Sequence, residues 1–414
     1  MADDTRFAVI VARFPKLTET FILQELRGLE DRGLDFEFFA LIHESQDQRQ
    51  PNAEALDDRA HYFTWYSPAA LATQWYWFRK SPANWARAWW RAFRISWRQR
   101  ILLIPFPMTV MIAMQIARRC EELQIERIHA HWATYPTLAA YVTKELSGIP
   151  YSFTGHATDI FIERSGLPEK VGESDFVATC VDYTREVIRE RCGDEQAAKV
   201  ELIHHGVDLD RFERLPINDR SADDPLHILC VAGLHPYKGQ THLIDTVATL
   251  RARGVDCSLR MVGDGPERAA LERQVADLGL GDIVEFLGRQ PTTVVREQLE
   301  WCDVFGAPSI QTADGTMDGI PNVLVEALAT GRPVVASSLP GICELIIEGE
   351  TGLLAEPHDH EGFADQLQRL VQNPEMAAGL IERGRKKVEA EHDATRNLDE
   401  LFDRLESLPT GRPA

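Results

Sequence analysis

Short apolar runs with strand character alternate along this chain with longer segments of helical spacing, and the pattern occurs twice. In the first half Phe7–Ala12, Leu34–Ile42, Arg127–His131, Tyr151–Thr154, Phe176–Thr179 and Val200–Ile203 read as strands. Thr18–Arg32, Tyr135–Ser147 and Tyr183–Arg191 carry the intervening helical periodicity. Parallel strands can be joined only through crossovers, so this alternation predicts a parallel sheet with helices on both faces. After a polar stretch, Asp208 to Pro225, it restarts with strands His227–Ala232, Ser258–Val262, Ile283–Phe286, Val304–Ala307 and Pro333–Ala336. The helices between them are Gly239–Arg251, Pro266–Leu278, Thr292–Glu300 and Pro321–Ala329, and helices dominate from His360 to Leu408. The expected fold class is α/β, with two doubly wound domains at 1–207 and 226–390, a linker at 208–225, and a C-terminal helix and tail at 391–414. Two such domains would enclose a cleft, where ligands collect beyond the carboxyl ends of the strands.

The 414 residues carry 44 basic and 64 acidic side chains, a formal charge of −20. So acidic a molecule repels phosphate unless its charge is segregated, and no nucleic-acid partner is expected. Seven cysteines stand singly, without a C-x-x-C pair, as expected of reduced thiols in a cytoplasmic protein, and no zinc site is suggested. Met1–Thr5 is acidic rather than basic, so no signal peptide is expected. The apolar run Ile101–Ala117 is interrupted by Pro105, Pro107 and Gln115 and falls short of the ~20 apolar residues of a spanning helix. It predicts a buried helix, Met108 to Leu123, in a soluble chain.

Charge is in fact segregated. Residues 59–120 contain ten Arg and Lys and no Asp or Glu, so this insertion is +10 and the remainder −30. It also holds seven of the nine tryptophans. Ser81 and Pro82 mark a helix start, after which Arg87, Arg91, Arg94 and Arg98 fall on one stripe and Trp85, Trp89, Trp90, Phe93 and Trp97 on the other side. A basic face opposite an aromatic one suits a helix lying on an anionic membrane surface. The competing reading packs the tryptophans on the domain and leaves the arginines solvated.

The strongest chemical signal is Asp318-Gly-Ile-Pro-Asn-Val-Leu-Val-Glu326, two carboxylates flanking a helix start with Pro321 in its first turn. The backbone N–H groups of Asn322 and Val323, with the helix dipole, make an anion site fit for a diphosphate. Gly233 to Gly239 follows a strand and opens a helix, which brings Lys238 to a phosphate. Glycine turns also end strands at Gly263-Asp-Gly265, at Leu287-Gly-Arg289 and at Thr154-Gly-His156. The first of these does not complete a dinucleotide fingerprint, because residue 268 is Arg. Asp208-Leu-Asp210 spells a metal-binding D-x-D but lies in the linker and reads as structural. His129-Ala-His131 has no evident third ligand, and His358-Asp-His360 reads as solvated loop.

Taken in order, these segments resemble the retaining GT-B glycosyltransferases of family GT4. Asp318 to Glu326 is similar to that family's E-x7-E motif and leads into Ala327-Leu-Ala-Thr-Gly-Arg-Pro-Val-Val-Ala336 and Gly341-Ile-Cys-Glu-Leu345. Gly206 to Phe212 resembles its hinge, and Phe14 to Phe21 resembles a bacterial exopolysaccharide subgroup of colanic-acid type. The resemblance implies two Rossmann-like domains, a nucleotide-diphosphate sugar donor on the second and a saccharide acceptor, lipid-linked in polysaccharide assembly, on the first. It implies Glu326 on the ribose hydroxyls, Lys238 on the diphosphate, and Arg289 and Gln290 near the base. Asp318 with Gly319, Ile320, Pro321, Asn322 and Val323 would hold the sugar, with His156 near the reacting carbon. Three departures stand out. Asp318 replaces the usual first Glu, Gly233 stands where many members have a phosphate-binding Arg, and Thr18, Glu19 and Thr20 replace a double glycine at the expected acceptor loop.

The expected activity is retaining, metal-independent hexosyl transfer with no cofactor, on the inner face of a membrane. The rivals are a nucleotide-sugar epimerase of the same fold and an inactive membrane-bound scaffold.

Overall fold

The computed structural model describes residues 6–15, 20–44, 53–97, 103–162, 166–216 and 224–408. They form two compact units, residues 1–203 with 398–414, and residues 204–397. The described parts of the expected linker fall within the second unit, and residues 217–223 lie outside the described residues.

The first unit is built on seven parallel strands: β1 (Phe7–Phe14), β2 (Phe36–His43), β3 (His61–Tyr62), β4 (Arg127–His131), β5 (Tyr151–Gly155), β6 (Val177–Thr179) and β7 (Val200–Leu202). Their order across the sheet is β3-β2-β1-β4-β5-β6-β7. β1 lies between β2 and β4, with Val9 opposite Phe38 on one side and His129 on the other. Most of β1, β4, β5 and β6 is buried, which is why these strands read as nearly unbroken apolar runs. The two-residue β3 was not legible in the sequence; it pairs only Phe39 with His61 and Ala40 with Tyr62 at the sheet edge.

The second unit carries β8 (Leu226–Val231), β9 (Cys257–Val262), β10 (Val284–Gly288), β11 (Val304–Ala307), β12 (Val334–Ser337) and β13 (Leu353–Ala355). All are parallel, in the order β10-β9-β8-β11-β12-β13. Its core lies between the sheet and the helices that cover it. Ile228, Leu259 and Val335 pack with Leu243 and Val247 of the Gln240–Ala252 helix and with Phe363 and Leu367 of the His360–Gln372 helix.

Helix boundaries moved by one or two residues from the sequence reading at Thr20–Asp31 and Arg268–Asp277. The insertion is a set of helices, Pro68–Lys80, Pro82–Ser96 and Phe106–Glu122. Among the described residues no helix is long and apolar enough to cross a membrane.

One grouping differs from expectation. The last helix, Ala394–Ser407, is not a separate tail, because from Leu398 onward it belongs to the first unit. Leu401, Phe402, Leu405 and Leu408 share one core with Phe7, Val9, Leu26 and Phe38. Its final carbonyls, which no helix can satisfy internally, are taken by a buried guanidinium: Arg127 donates to Leu405 O and Glu406 O at 2.7 Å each, and to Leu408 O. Arg127→Met should therefore lower the stability of this unit by about 2–3 kcal/mol, since bonds from a charged donor are lost at a buried helix end. Amide exchange in β1 and β4 should accelerate accordingly, with exchange in β8 and β9 unchanged.

Candidate active site

In the second unit the strand order reverses between β8 and β11, and doubly wound sheets bind ligands beyond such a reversal. The chain leaving β8 enters a single 3-10 turn, Pro236–Lys238, closed by Gly239 at φ 66°. A Cβ on Gly239 would lie 1.9 Å from the Pro308 carbonyl oxygen, so both the backbone conformation and the space demand glycine. The loops after β8 and β11 are thereby pressed together. Ile310 N–H donates to Tyr237 O at 2.8 Å, and Lys238 Nζ lies 2.6 Å from Asp318 Oδ1. Asp318 Oδ2 accepts from the buried Ser309 hydroxyl at 2.6 Å. The Lys238 side chain is only 16% exposed. Burial pulls its pKa down, but the Asp318 carboxylate, helped by Tyr237, more than offsets this, leaving it above the ordinary lysine value.

Gly319 follows, packed so closely on Gly341 that a Cβ on Gly341 would meet the Gly319 Cα at 2.8 Å. After Ile320 the helix Asn322–Ala329 begins. Pro321 is its N-cap rather than part of its first turn, and no side chain caps this end. The sequence thus placed Pro321 one position too far in; the Asn322 and Val323 N–H groups still head the helix without a side-chain acceptor. Glu326 sits one turn inside, partly buried, and burial pushes its carboxyl up to about 7 against a smaller pull from Arg211. At the end of β10, Arg289 is exposed and the Gln290 amide donates to Leu287 O at 2.7 Å. Over Gly233 lies the His235 ring, 3.0 Å from where a Cβ would stand. Asp208 accepts from the N–H groups of Asp210 and Arg211, so this D-x-D carboxylate closes its own turn.

In the first unit, His156 follows β5. Its ring packs against both Phe21 (4.6 Å between centroids) and Trp132 (4.4 Å). Two non-glycine residues beside it hold left-handed backbone, Trp132 at φ 79° and Ala157 at φ 65°. Such strain persists only when over-determined by its surroundings. Here buried Asp159 ties the two loops together, accepting from the N–H groups of Ala133 and His156, while burial lifts its carboxyl to about 6. Behind His156 lie His131 and Glu25: His131 Nδ1 is 3.2 Å from His156 Nε2, and His131 Nε2 is 3.0 Å from Glu25 Oε1. Glu25, His129 and His131 lie close enough to hold an ion. To do so His129 would have to release a hydrogen bond, since its nitrogens meet Ser152 Oγ (2.8 Å) and Thr154 Oγ1 (2.9 Å). Burial drops the His129 pKa to about 3, keeping it neutral. A second such group, His204, Glu391 and His392, has His392 Nδ1 on His205 O.

A cavity of about 420 Å³ opens at the carboxyl ends of β1, β2 and β4, lined by Arg13, Leu41, Met108, Ile112, Trp132 and Tyr135 among others. Of the expected acceptor residues, Thr18 and Glu19 lie outside the described residues, as does the side chain of Thr20, which opens its helix.

The Pro82–Ser96 helix corrects the amphipathic reading of the insertion. Its buried face is neither stripe but the small row between them, Ala88, Ala92, Ile95 and Ser96. Arg91 turns inward, bonded to Tyr141, Glu145 and Glu173; Arg94 pairs with Glu169 at 3.1 Å, and Arg87 lies 3.7 Å from Glu145. Arg98 lies outside the described residues. The arginine stripe is thus largely matched by acids of its own unit. Trp85 and Trp89 donate their indole N–H groups to Gln74, whereas Trp90 and Trp97 are exposed.

Sequence reasoning missed Ser309 and Glu25, and it gave no role to Asp159, which ends the turn that begins at Thr154. Glu25 alone carried a signal: it stands on the apolar face of its helix with Ile22, Leu26 and Leu29, where a carboxylate needs a buried partner.

Residues 18–211 match the family model for Glycosyltransferase Family 4, and residues 212–387 match that for Glycosyl transferases group 1. The amylovoran biosynthesis glycosyltransferase AmsK of Erwinia amylovora is 36% identical over 212 residues, which are 50% of this chain and 52% of that protein. The chain thus spans about half the length of that relative. A GDP-mannose-dependent alpha-(1-6)-phosphatidylinositol monomannoside mannosyltransferase of Mycolicibacterium smegmatis is 28% identical over 344 residues, 79% of this chain and 85% of that one. Among solved structures, Anabaena Alr3699/HepE in complex with UDP-glucose superposes with a TM-score of 0.73 over 97% of this chain and all of that one. At 17% identity this is a likeness of fold. With one family model ending where the next begins, and two parallel doubly wound sheets beneath them, the chain belongs to the GT-B glycosyltransferases of family GT4.

Proposed function

We propose that this protein transfers a sugar, with retention, from a nucleotide-diphosphate donor to a lipid-linked saccharide in surface-polysaccharide assembly at the cytoplasmic face of a membrane. One observation carries the reading: a half-buried ammonium, Lys238, beside the uncapped N-terminus of the Asn322–Ala329 helix at a strand-order reversal. Donors so arranged suit an anion that gains charge as it departs. The names of the relatives agree, one citing GDP-mannose and a phosphatidylinositol monomannoside, another UDP-glucose.

In this reading the diphosphate takes Lys238 away from Asp318 and lies on the Asn322 and Val323 N–H groups. Asp318, still held by Ser309, turns its released oxygen to a sugar hydroxyl. Glu326 accepts from the ribose, and the backbone near Arg289 and Gln290 meets the base. The bond from the anomeric carbon to the diphosphate breaks, its electron pair passing to the phosphate oxygen. The acceptor hydroxyl bonds to that carbon on the same face and gives its proton to the departing phosphate. His156 steadies the sugar as its carbon becomes cationic. Lys238 and the helix end supply the neutralisation a divalent metal would otherwise provide. The apolar-walled cavity, with Arg13 on its rim, is the acceptor site.

Membrane contact in this account is aromatic. Nine of the eleven exposed large apolar side chains among the described residues fall in the insertion, including Tyr66, Trp75, Trp90, Trp97 and Ile104. Tryptophan and tyrosine favour the headgroup boundary of a bilayer. An epimerase would convert donor without acceptor and a scaffold would convert none, so donor consumption that requires acceptor separates both.

Two outcomes are expected. Hydroxyl donors favour ionised Glu326, so affinity for UDP-glucose or GDP-mannose should be highest above pH 7. It should then fall toward about tenfold per unit as the carboxyl protonates below it, each pKa unit being worth about 1.4 kcal/mol. Calorimetric titration of Glu326→Gln should lose that pH dependence along with affinity; a wild-type profile in the variant would refute the assignment. In flotation with anionic vesicles, wild type should rise with the lipid, and the double variant Trp90→Ser, Trp97→Ser should not. Equal flotation, or none for wild type, would refute the membrane contact.

A further inference from the structure

Behind His156 lies a linear chain of ionisable groups that the transfer reaction does not by itself require. Glu25, His131 and His156 are 4%, 0% and 9% exposed. They come from the Thr20–Asp31 helix and from the carboxyl ends of the adjacent strands β4 and β5. We propose that Glu25 and His131 are positioning residues that fix the tautomer and the electrostatic character of His156. The inference rests on the reading that His156 meets the donor sugar.

The proton arrangement follows from what each atom can do. An ionised carboxylate only accepts, so the proton between Glu25 Oε1 and His131 Nε2, 3.0 Å apart, belongs to His131. In the proposed arrangement His131 holds that proton alone, so its Nδ1 is an acceptor. The proton in the 3.2 Å contact between His131 Nδ1 and His156 Nε2 must accordingly be carried by His156. The chain of donors runs from His156 through His131 to Glu25, and it makes Nδ1 the acceptor of the His156 ring. A histidine's reactive nitrogen is commonly selected in this way, through the bond its other nitrogen makes.

The surroundings hold the arrangement. Phe21 and Trp132, in contact with each other at 6.1 Å, both pack against the His156 ring. The Asp159 carboxylate accepts its backbone N–H at 2.8 Å. His129, edge-on to His131 at 5.3 Å, stays neutral through burial and its hydroxyl partners, so it brings no competing positive charge. In this arrangement the Glu25 carboxylate keeps its negative charge at the far end of the chain, in a setting of low polarisability. A buried charge is tolerated only while its hydrogen bonds are made, and this one favours positive charge developing at the sugar carbon. His156 would thus act as an acceptor whose strength rises in the transition state, with Glu25 as the distant source.

Nitrogen-15 spectra of the full chain with labelled histidine, at about pH 7.5 so that exposed imidazoles are neutral, read the tautomers directly. The expected result is a neutral His156 and a neutral His131, each protonated at Nε2; an Nδ1-protonated or cationic His156 overturns the proposal even if no variant folds. In kinetics, Glu25→Gln keeps the shape and removes the charge. It should lower kcat on the order of 100-fold, the scale of a positioned acid–base group, while the donor KM changes less than about twofold. Glu25→Asp should recover part of the loss. If His156→Ala is inactive but folded Glu25→Gln turns over normally, the positioning chain is wrong and the reading of His156 stands. If His156→Ala is fully active, that reading and this inference fall together.

Discussion

A parallel strand cannot reach its neighbour through a hairpin, and both sheets of this protein consist of parallel strands. Every strand end must therefore feed a crossover, and the carboxyl ends of all strands in a sheet collect along one edge. Where the strand order reverses, the loops from two central strands splay to opposite faces and leave room for a ligand. Both candidate sites sit at such a reversal. In the second unit it lies between β8 and β11, whose loops supply Lys238 and Asp318. In the first it lies between β1 and β4, where the cavity opens beside Trp132.

The same geometry explains how charge is handled. The second unit keeps its half-buried ammonium tolerable by pairing it with Asp318. A shorter Asp in place of the usual Glu still reaches Lys238 because Gly239 lets the Pro308 carbonyl approach. The first unit buries a carboxylate, Glu25, behind two imidazoles and leaves negative character near His156.

Much of this was legible from the residues. The Asp318–Glu326 spacing marked a helix N-terminus with two carboxylates, and the β–α alternation marked both sheets, because apolar periodicity directly reports burial. What remained hidden depended on contacts distant in sequence. The last helix looked like a tail, since its apolar face gave no sign that its partner was β1, at the other end of the chain. Ser309 carried no motif, and Glu25 matters only once β4 and β5 bring His131 and His156 together. The insertion misled for a different reason. Its own residues, 59–120, contain no acid, yet the acids that bind its arginines, Glu145, Glu169 and Glu173, come from later helices. Local charge counting registers a stripe of arginines but not the partners the fold delivers to it.

The central claim is that Lys238 and the end of the Asn322–Ala329 helix stabilise the departing diphosphate without a metal, while the sugar keeps its configuration. Incubation of the protein with donor and acceptor in EDTA, followed by proton NMR of the anomeric signal in the glycosylated product, tests both halves at once. The account predicts product formed in EDTA at the rate seen without it, with the anomeric configuration of the donor. A product of opposite configuration, or a reaction that stops in EDTA and resumes on adding manganese or magnesium, would contradict it.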